Sequence, residues 1–198
     1  YPAINSSENE IRIVDLYPAG NFDDPLEIGV RKANLSDSPT YDALSYVWNP
    51  VDTDALDEQE YDGEVQIKNM PGCHLSIGEN LESALRHLRD KKRVLPMWID
   101  AICIDQHNVR ERNHQVQLMS KLYSTARHVM IWLGPSDRES EIILKSIKQG
   151  YDESNEQVRA FPDFLDYLEE FLERDWFRRV WIVQELTLAK IDPIVVCG

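Results

Sequence analysis

The chain is poor in cysteine, in glycine and in positive charge, and each scarcity removes a class of protein. Cys73, Cys103 and Cys197 are odd in number and widely spaced in 198 residues. They exclude a dense disulfide framework and suit reduced thiols in a cytoplasmic protein. The eight glycines build neither a phosphate-cradling loop nor a Gly-x-Ser-x-Gly elbow, so kinase, P-loop and α/β-hydrolase chemistry lack their signatures. Twenty-one basic residues against thirty-five acidic ones leave a formal charge of −14. That charge repels phosphate backbones and anionic headgroups, which argues against nucleic acid and membrane surfaces as partners. No apolar run approaches the length of a membrane span. The five histidines are scattered, and Cys103, His107 and His114 lack recognisable ligand spacing, so no metal site is expected. An initiating Met is missing as well; with an apolar run just before Gly198, this predicts an excerpt of a longer protein.

What is present is a foldable globular composition, 42% hydrophobic with five Trp, eight Tyr and five Phe, expected to form one domain over residues 1–198. Ile11 to Tyr17 and Leu26 to Val30 read as two short strands, a peripheral β extension within residues 1–40. Tyr41 to Trp48 is apolar enough for a strand buried on both faces, and Asn49 to Gly63 reads as a solvated acidic loop. Glu64 to Lys68 and Cys73 to Ile77 bracket a hairpin. A helix on Leu81, Ala84, Leu85 and Leu88 should end near Lys91-Lys92-Arg93, where cations suit the negative helix terminus. Val94 to Ile104 predicts a central strand and a turn. Asn108 and Glu111 form a capping box for a helix carrying Val116, Met119, Tyr123 and Ala126. His128 to Leu133 is a further strand, followed by a second capping box at Ser136 and Glu139. Two amphipathic helices, around Phe164 to Leu172 and Val180 to Ala189, precede a last strand at Ile194 to Cys197. Strands alternating with helices predict an α/β fold with a mainly parallel central sheet, helices on both faces and extra peripheral hairpins.

Three blocks resemble the heterokaryon incompatibility (HET) domain of filamentous fungi. The first is Tyr41-Asp42-Ala43-Leu44-Ser45-Tyr46-Val47-Trp48. The second runs from Trp98-Ile99-Asp100-Ala101-Ile102-Cys103-Ile104-Asp105-Gln106 through Glu111-Arg112, Gln115-Val116, Met119, Tyr123 and Ala126 to Trp132-Leu133-Gly134. The third is Trp176-Phe177-Arg178-Arg179-Val180-Trp181-Ile182-Val183-Gln184-Glu185, with Val196-Cys197-Gly198 after it. Order and spacing agree from about residue 41 to the end. Two positions depart from the family pattern, Asn49 for Gly and Asp105 for Asn. The resemblance implies a cytoplasmic effector of fungal allorecognition and programmed cell death. It also implies self-association and control by a NACHT/NLR-type or other regulatory module.

Two segments are further similar to Toll/interleukin-receptor (TIR) domains: Tyr41 to Tyr46 resembles their first strand, and Trp181-Ile182-Val183-Gln184-Glu185-Leu186 resembles the segment that carries their catalytic Glu. The resemblance implies a TIR/flavodoxin-like sheet and, with Glu185 as catalytic residue, an NAD glycohydrolase that uses NAD as substrate and holds no permanent cofactor. Such a pocket would lie beyond the carboxyl ends of the strands. Its candidate lining is Ser45, Trp48, Asp100, Asp105, Gln106, Arg112, Arg179 and Trp181, with Trp48 stacking on a base and Arg112 or Arg179 holding phosphate.

Structural readings stand beside these. Glu185 near Arg178 and Arg179 suits a plain ion pair as well as catalysis. Asp100 with Arg112 suits a buried structural pair better than chemistry, Glu111 suits a cap, and Trp98, Trp132 and Trp181 suit the core. Cys103, inside an apolar run, suits inert packing rather than a Cys-His nucleophile. A non-catalytic adaptor that recruits a separate executioner is the alternative function.

Overall fold

The computed structural model of the chain describes residues 3–5, 8–48, 63–70, 72–148, 164–180 and 182–198. Among them one sheet of eight strands is accompanied by six helices, an α/β architecture. The strands are β1 (Glu10–Leu16), β2 (Glu27–Asn34), β3 (Asp42–Ser45), β4 (Gly63–Ile67), β5 (His74–Ile77), β6 (Leu95–Trp98), β7 (Val129–Trp132) and β8 (Ile194–Val196). The helices are α1 (Glu79–Leu88), the single turn α2 (Asp100–Cys103), α3 (Val109–Thr125), α4 (Arg138–Lys148), α5 (Phe164–Leu172) and α6 (Ile182–Thr187). The loop expected over Asn49 to Gly63 lies outside the described residues, apart from Gly63 itself, which opens β4.

In space the strands run β5-β4-β2-β1-β6-β3-β7-β8. The sheet is mixed. Four of its pairings are parallel, β2 with β4, β3 with β6, β3 with β7 and β7 with β8, and three are antiparallel. The half built from β6, β3, β7 and β8 is the parallel half, and its carboxyl ends point one way.

The N-terminal strands are not peripheral. β1 pairs with β2 from Glu10↔Asn34 to Leu16↔Ile28 and joins β6 through Val14 to Leu16. It therefore sits mid-sheet, with Ile11, Ile13, Val14 and Leu16 all fully buried. Each such side chain contributes roughly 1.5–3 kcal/mol by leaving water. The misreading came from Arg12, which makes the run look like an alternating, half-wet strand. Its guanidinium is instead buried and neutralised internally, against Glu111 at the start of α3.

Local chemistry explains the remaining boundaries. β4 and β5 form the expected hairpin at the sheet edge, turning at Gly72 with φ +79°. Helix α1 stops at Leu88, short of the Lys91 cluster, because Arg89 adopts an extended conformation and donates its N–H to Leu85 O. Arg89 and Arg86 together clasp the carbonyls of Asn21, Phe22, Asp24 and Pro25, which ties the β1–β2 connection to α1. Asn108 caps α3, its side chain accepting from Glu111 N at 3.2 Å. The cap of α4 is Asp137 rather than Ser136: Asp137 Oδ1 accepts from Ser140 N at 2.7 Å and Ser140 Oγ accepts from Asp137 N at 2.9 Å. The last helix, α6, is shorter than Val180 to Ala189.

The core is continuous across both halves of the sheet and includes Trp98 and Trp132, as expected of aromatics in segments this apolar. β3 is buried along its whole length. Its one hydroxyl, Ser45, lies at the carboxyl end, so whatever satisfies that hydroxyl must come from other elements.

Candidate functional site

Two elements and the residue that links them converge on Ser45. The 3-10 turn Asp175–Arg178 presents Trp176, whose indole N–H donates to Ser45 Oγ at 2.7 Å. Helix α6 presents Glu185, whose Oε2 accepts the Ser45 hydroxyl proton. The residue between turn and helix, Arg179, brings Nη1 to 3.3 Å from both Ser45 Oγ and Glu185 Oε2, and Nη2 to 3.3 Å from Glu185 Oε1. Because an indole nitrogen only donates, Ser45 must accept from Trp176 and spend its own proton on Glu185. The hydroxyl is thereby aimed at the carboxylate. Helix α3 adds Tyr123, whose hydroxyl donates to Leu44 O at 3.3 Å. Its phenol is pushed well above its ordinary range, by burial first and then by the charges of Glu185 and Asp100. Tyr46 is raised in the same way, by burial and then by Asp100. Both phenols stay protonated, so the cluster holds carboxylates as its only bases among these side chains.

Beside this cluster, one turn past β6, Asp100 holds Trp48. Trp48 Nε1 donates to Asp100 Oδ2 at 2.8 Å and Ala101 N donates to Oδ1 at 2.8 Å. The indole is thus anchored by its edge while 39% of Trp48 remains exposed, an arrangement that offers a ring face to solvent. Burial pushes the Asp100 carboxyl up to about 6, against the pull of Trp48, Ala101 and Arg179, and Glu185 adds to the rise.

The structure brings Ser45, Glu185, Arg179, Trp48 and Asp100 to one end of the parallel half. It does not bring Asp105, Gln106 and Arg112 into the same contacts. Asp105 Oδ1 accepts from His107 N at 3.1 Å, Gln106 Nε2 donates to Asp100 O at 3.0 Å, and the exposed Arg112 donates to Gln106 O at 3.3 Å. These three brace the loop after β6. Trp181 lies outside the described residues.

Two expectations are corrected. Glu185 does not face an open cleft: it is 0% exposed and paired with Arg179. Asp100 does not pair with Arg112; the buried ion pair in this region joins Arg12 to Glu111, which also accepts from Asp105 N at 2.7 Å and is more than a cap. Cys103 packs inertly, in line with its apolar run: burial pushes its thiol up to about 12. Sequence reasoning missed Trp176, Tyr46 and Tyr123 as site residues. Trp176 stands in the third block and Tyr46 in the first, so the signal existed as two aromatic positions flanking the named polar ones. A separate depression of about 260 Å³, lined by Asp137, Glu139, Glu170, Phe171, Glu173 and Arg174, contains none of these residues.

The family model described as heterokaryon incompatibility protein (HET) matches residues 41–185, the interval that carries every residue of the cluster. The chain belongs to the heterokaryon incompatibility family. It is similar to heterokaryon incompatibility protein 6, OR allele, of Neurospora crassa, with 30% identity over 236 residues that take in 99% of this chain and 34% of that protein. The chain therefore spans about a third of that relative's length. No solved structure matches it. Within this HET domain, Ser45 and Glu185 stand near opposite ends of the matched interval, 140 positions apart, yet share a hydrogen bond. Among the described residues no helix is long and apolar enough to cross a membrane.

Proposed function

We propose that this domain is a fungal cell-death effector of heterokaryon incompatibility and that it acts by hydrolysing NAD, with Glu185 as the catalytic carboxylate. The observation that carries the reading is the convergence of Glu185, Ser45, Arg179 and the Trp48–Asp100 pair at the carboxyl ends of β3 and β6. The order β6-β3-β7-β8, numbered along the chain, is second-first-third-fourth. That order agrees with a flavodoxin-like, and by resemblance TIR-like, arrangement, and so supports a ligand site outside the carboxyl ends, at the switch point between β3 and β7. Shifted titratable groups gathered at such a place favour function over packing.

The chemistry asks little of the protein. The bond from ribose C1′ to the nicotinamide nitrogen breaks with its electron pair passing to the ring, which loses its positive charge, so no general acid is required. Glu185 stabilises the oxocarbenium character left on the ribose and accepts the proton of the water that attacks C1′. Nicotinamide, ADP-ribose and a proton result. Trp48 offers its face to a base, and Arg179 offers its fork to the pyrophosphate. Self-association and a NACHT/NLR-type regulatory module are proposed as the controls of the domain in a cytoplasmic setting.

One observation favours a second reading, a non-catalytic adaptor: the complete burial of Glu185, whose bonds to Ser45 and Arg179 tie the C-terminal block to the sheet. Expression of the full-length protein in fungal cells under incompatible conditions separates the two. The enzyme reading expects NAD to fall before death and both events to be lost in Glu185→Gln. Death that proceeds at constant NAD supports the adaptor.

A further inference from the structure

Glu185 as arranged cannot meet a substrate, and the bonds around it differ in a way that identifies which of them gives. This inference rests on the NAD-cleavage reading. Trp176 holds Ser45 at 2.7 Å, whereas Arg179 stands 3.3 Å from each of its three acceptor atoms on Ser45 and Glu185. Well-formed charge-assisted N–H···O bonds run to about 2.7–2.9 Å, so the guanidinium is near its carboxylate without making a tight fork. The side chain of Arg179 is 19% exposed, against 0% for Glu185. Ser45 and Trp176 are buried, so Arg179 is the member of this foursome that water and solutes can reach. Its backbone is extended, φ −73° and ψ 133°, between the 3-10 turn and α6. The side chain can therefore swing outward without breaking a helical hydrogen bond.

We propose that Arg179 is a latch worked by the substrate: the pyrophosphate of a dinucleotide draws the guanidinium off Glu185, so the carboxylate is bared only to a substrate that carries this group. A guanidinium fork fits paired phosphate oxygens, and two phosphate charges compete well with one carboxylate. The oxygen that Nη2 covers, Oε1, loses that cover and is left to the ribose, while Ser45 keeps hold of Oε2. Withdrawal of the cation also leaves the carboxylate charge uncompensated where positive charge develops on the sugar. No covalent bond changes in this step. A nicotinamide riboside, which has the scissile bond but lacks the pyrophosphate, meets a closed site.

The test follows nicotinamide release by the assembled full-length protein from NAD and from nicotinamide riboside, with and without millimolar inorganic pyrophosphate. Wild type should cleave the riboside poorly, and added pyrophosphate should raise that rate about tenfold, the scale of one charged hydrogen-bond pair. Arg179→Gln should cleave the riboside at the raised rate without pyrophosphate, no longer respond to it, and show a KM for NAD raised about tenfold. Arg179→Lys keeps the charge without the fork and should respond only weakly, which covers the case in which the Gln variant does not fold. Riboside cleavage indifferent to pyrophosphate, alongside normal NAD cleavage, overturns the latch and leaves the NAD reading standing. If neither substrate is cleaved the NAD reading falls. The latch is then judged by calorimetric binding of pyrophosphate: binding that Arg179→Gln abolishes supports it, and no binding by wild type overturns it.

Discussion

Glu111→Ala is expected to be among the most damaging single truncations in this domain. Glu111 holds the buried guanidinium of Arg12 with both oxygens, one contact at 3.0 Å and the other shorter, and accepts from Asp105 N at 2.7 Å. The truncation leaves Arg12 buried with Cys103 O, at 2.9 Å, as a neutral acceptor. Removing one partner of a buried pair costs about 3–5 kcal/mol, because the remaining charge loses its buried counter-ion. Against a typical domain stability of about 5–15 kcal/mol this is about a fifth or more. Replacing both partners, Arg12→Met with Glu111→Leu, should recover most of the loss, since apolar groups of similar volume fill the site without charge. A residue of about 1–3 kcal/mol should persist, because the Asp105 N–H still lacks its acceptor. Urea unfolding followed by tryptophan fluorescence reads all three proteins. A Glu111→Ala loss below about 1 kcal/mol, or a double variant as unstable as the single, refutes the reasoning. The same pair sets a pH signature. Burial raises the Glu111 carboxyl, but Arg12 and Asp105 N–H outweigh it, so the folded value lies below the ordinary 4.5. A depressed carboxylate contributes stability above its unfolded value and loses it as pH falls through the folded one. Acidification below pH 4.5 should therefore cost wild type more than Glu111→Ala.

Asp100 predicts the opposite slope: its folded value of about 6 lies above the ordinary 3.8, so stability falls as pH rises between them. The decline over that window should be on the order of 2–3 kcal/mol, and Asp100→Asn should flatten it in urea titrations taken at successive pH values. An unchanged slope in the variant would show that the carboxyl is not desolvated. Trp176→Phe keeps the packing but removes the donor to Ser45, so stability should fall by about 1 kcal/mol. Nicotinamide release should fall about tenfold as the aimed hydroxyl loosens, whereas full activity would show that the indole N–H orients nothing that matters.

The parts of this protein legible in its sequence are those with local signals. β3, the β4–β5 hairpin, the cap at Asn108, the core indoles of Trp98 and Trp132, and the gathering of Ser45, Trp48, Asp100 and Arg179 with Glu185 were all foreseeable from pattern or from the three blocks. The rest depended on partners distant in sequence. Arg12 disguised a central strand, and the opposing Glu111, 99 positions away, helps make that strand buryable. The cap of α4 shifted one residue because Asp137 and Ser140 satisfy each other, an exchange that Ser136 and Glu139 imitate in sequence. Exposure of Glu185 was unreadable for the same reason. A helix position says which residues neighbour it along the chain, while its burial was decided by β3 and by the turn that carries Trp176.

Cleavage of NAD by Glu185 is read most directly with purified protein. The full-length protein, assembled as in the activated state, is incubated with NAD, and free nicotinamide is quantified for wild type and Glu185→Gln after equal folding has been verified. The account predicts release by wild type and a loss on the order of a hundredfold or more in the variant. Equal release by both proteins, or none from wild type in any assembled form, contradicts it.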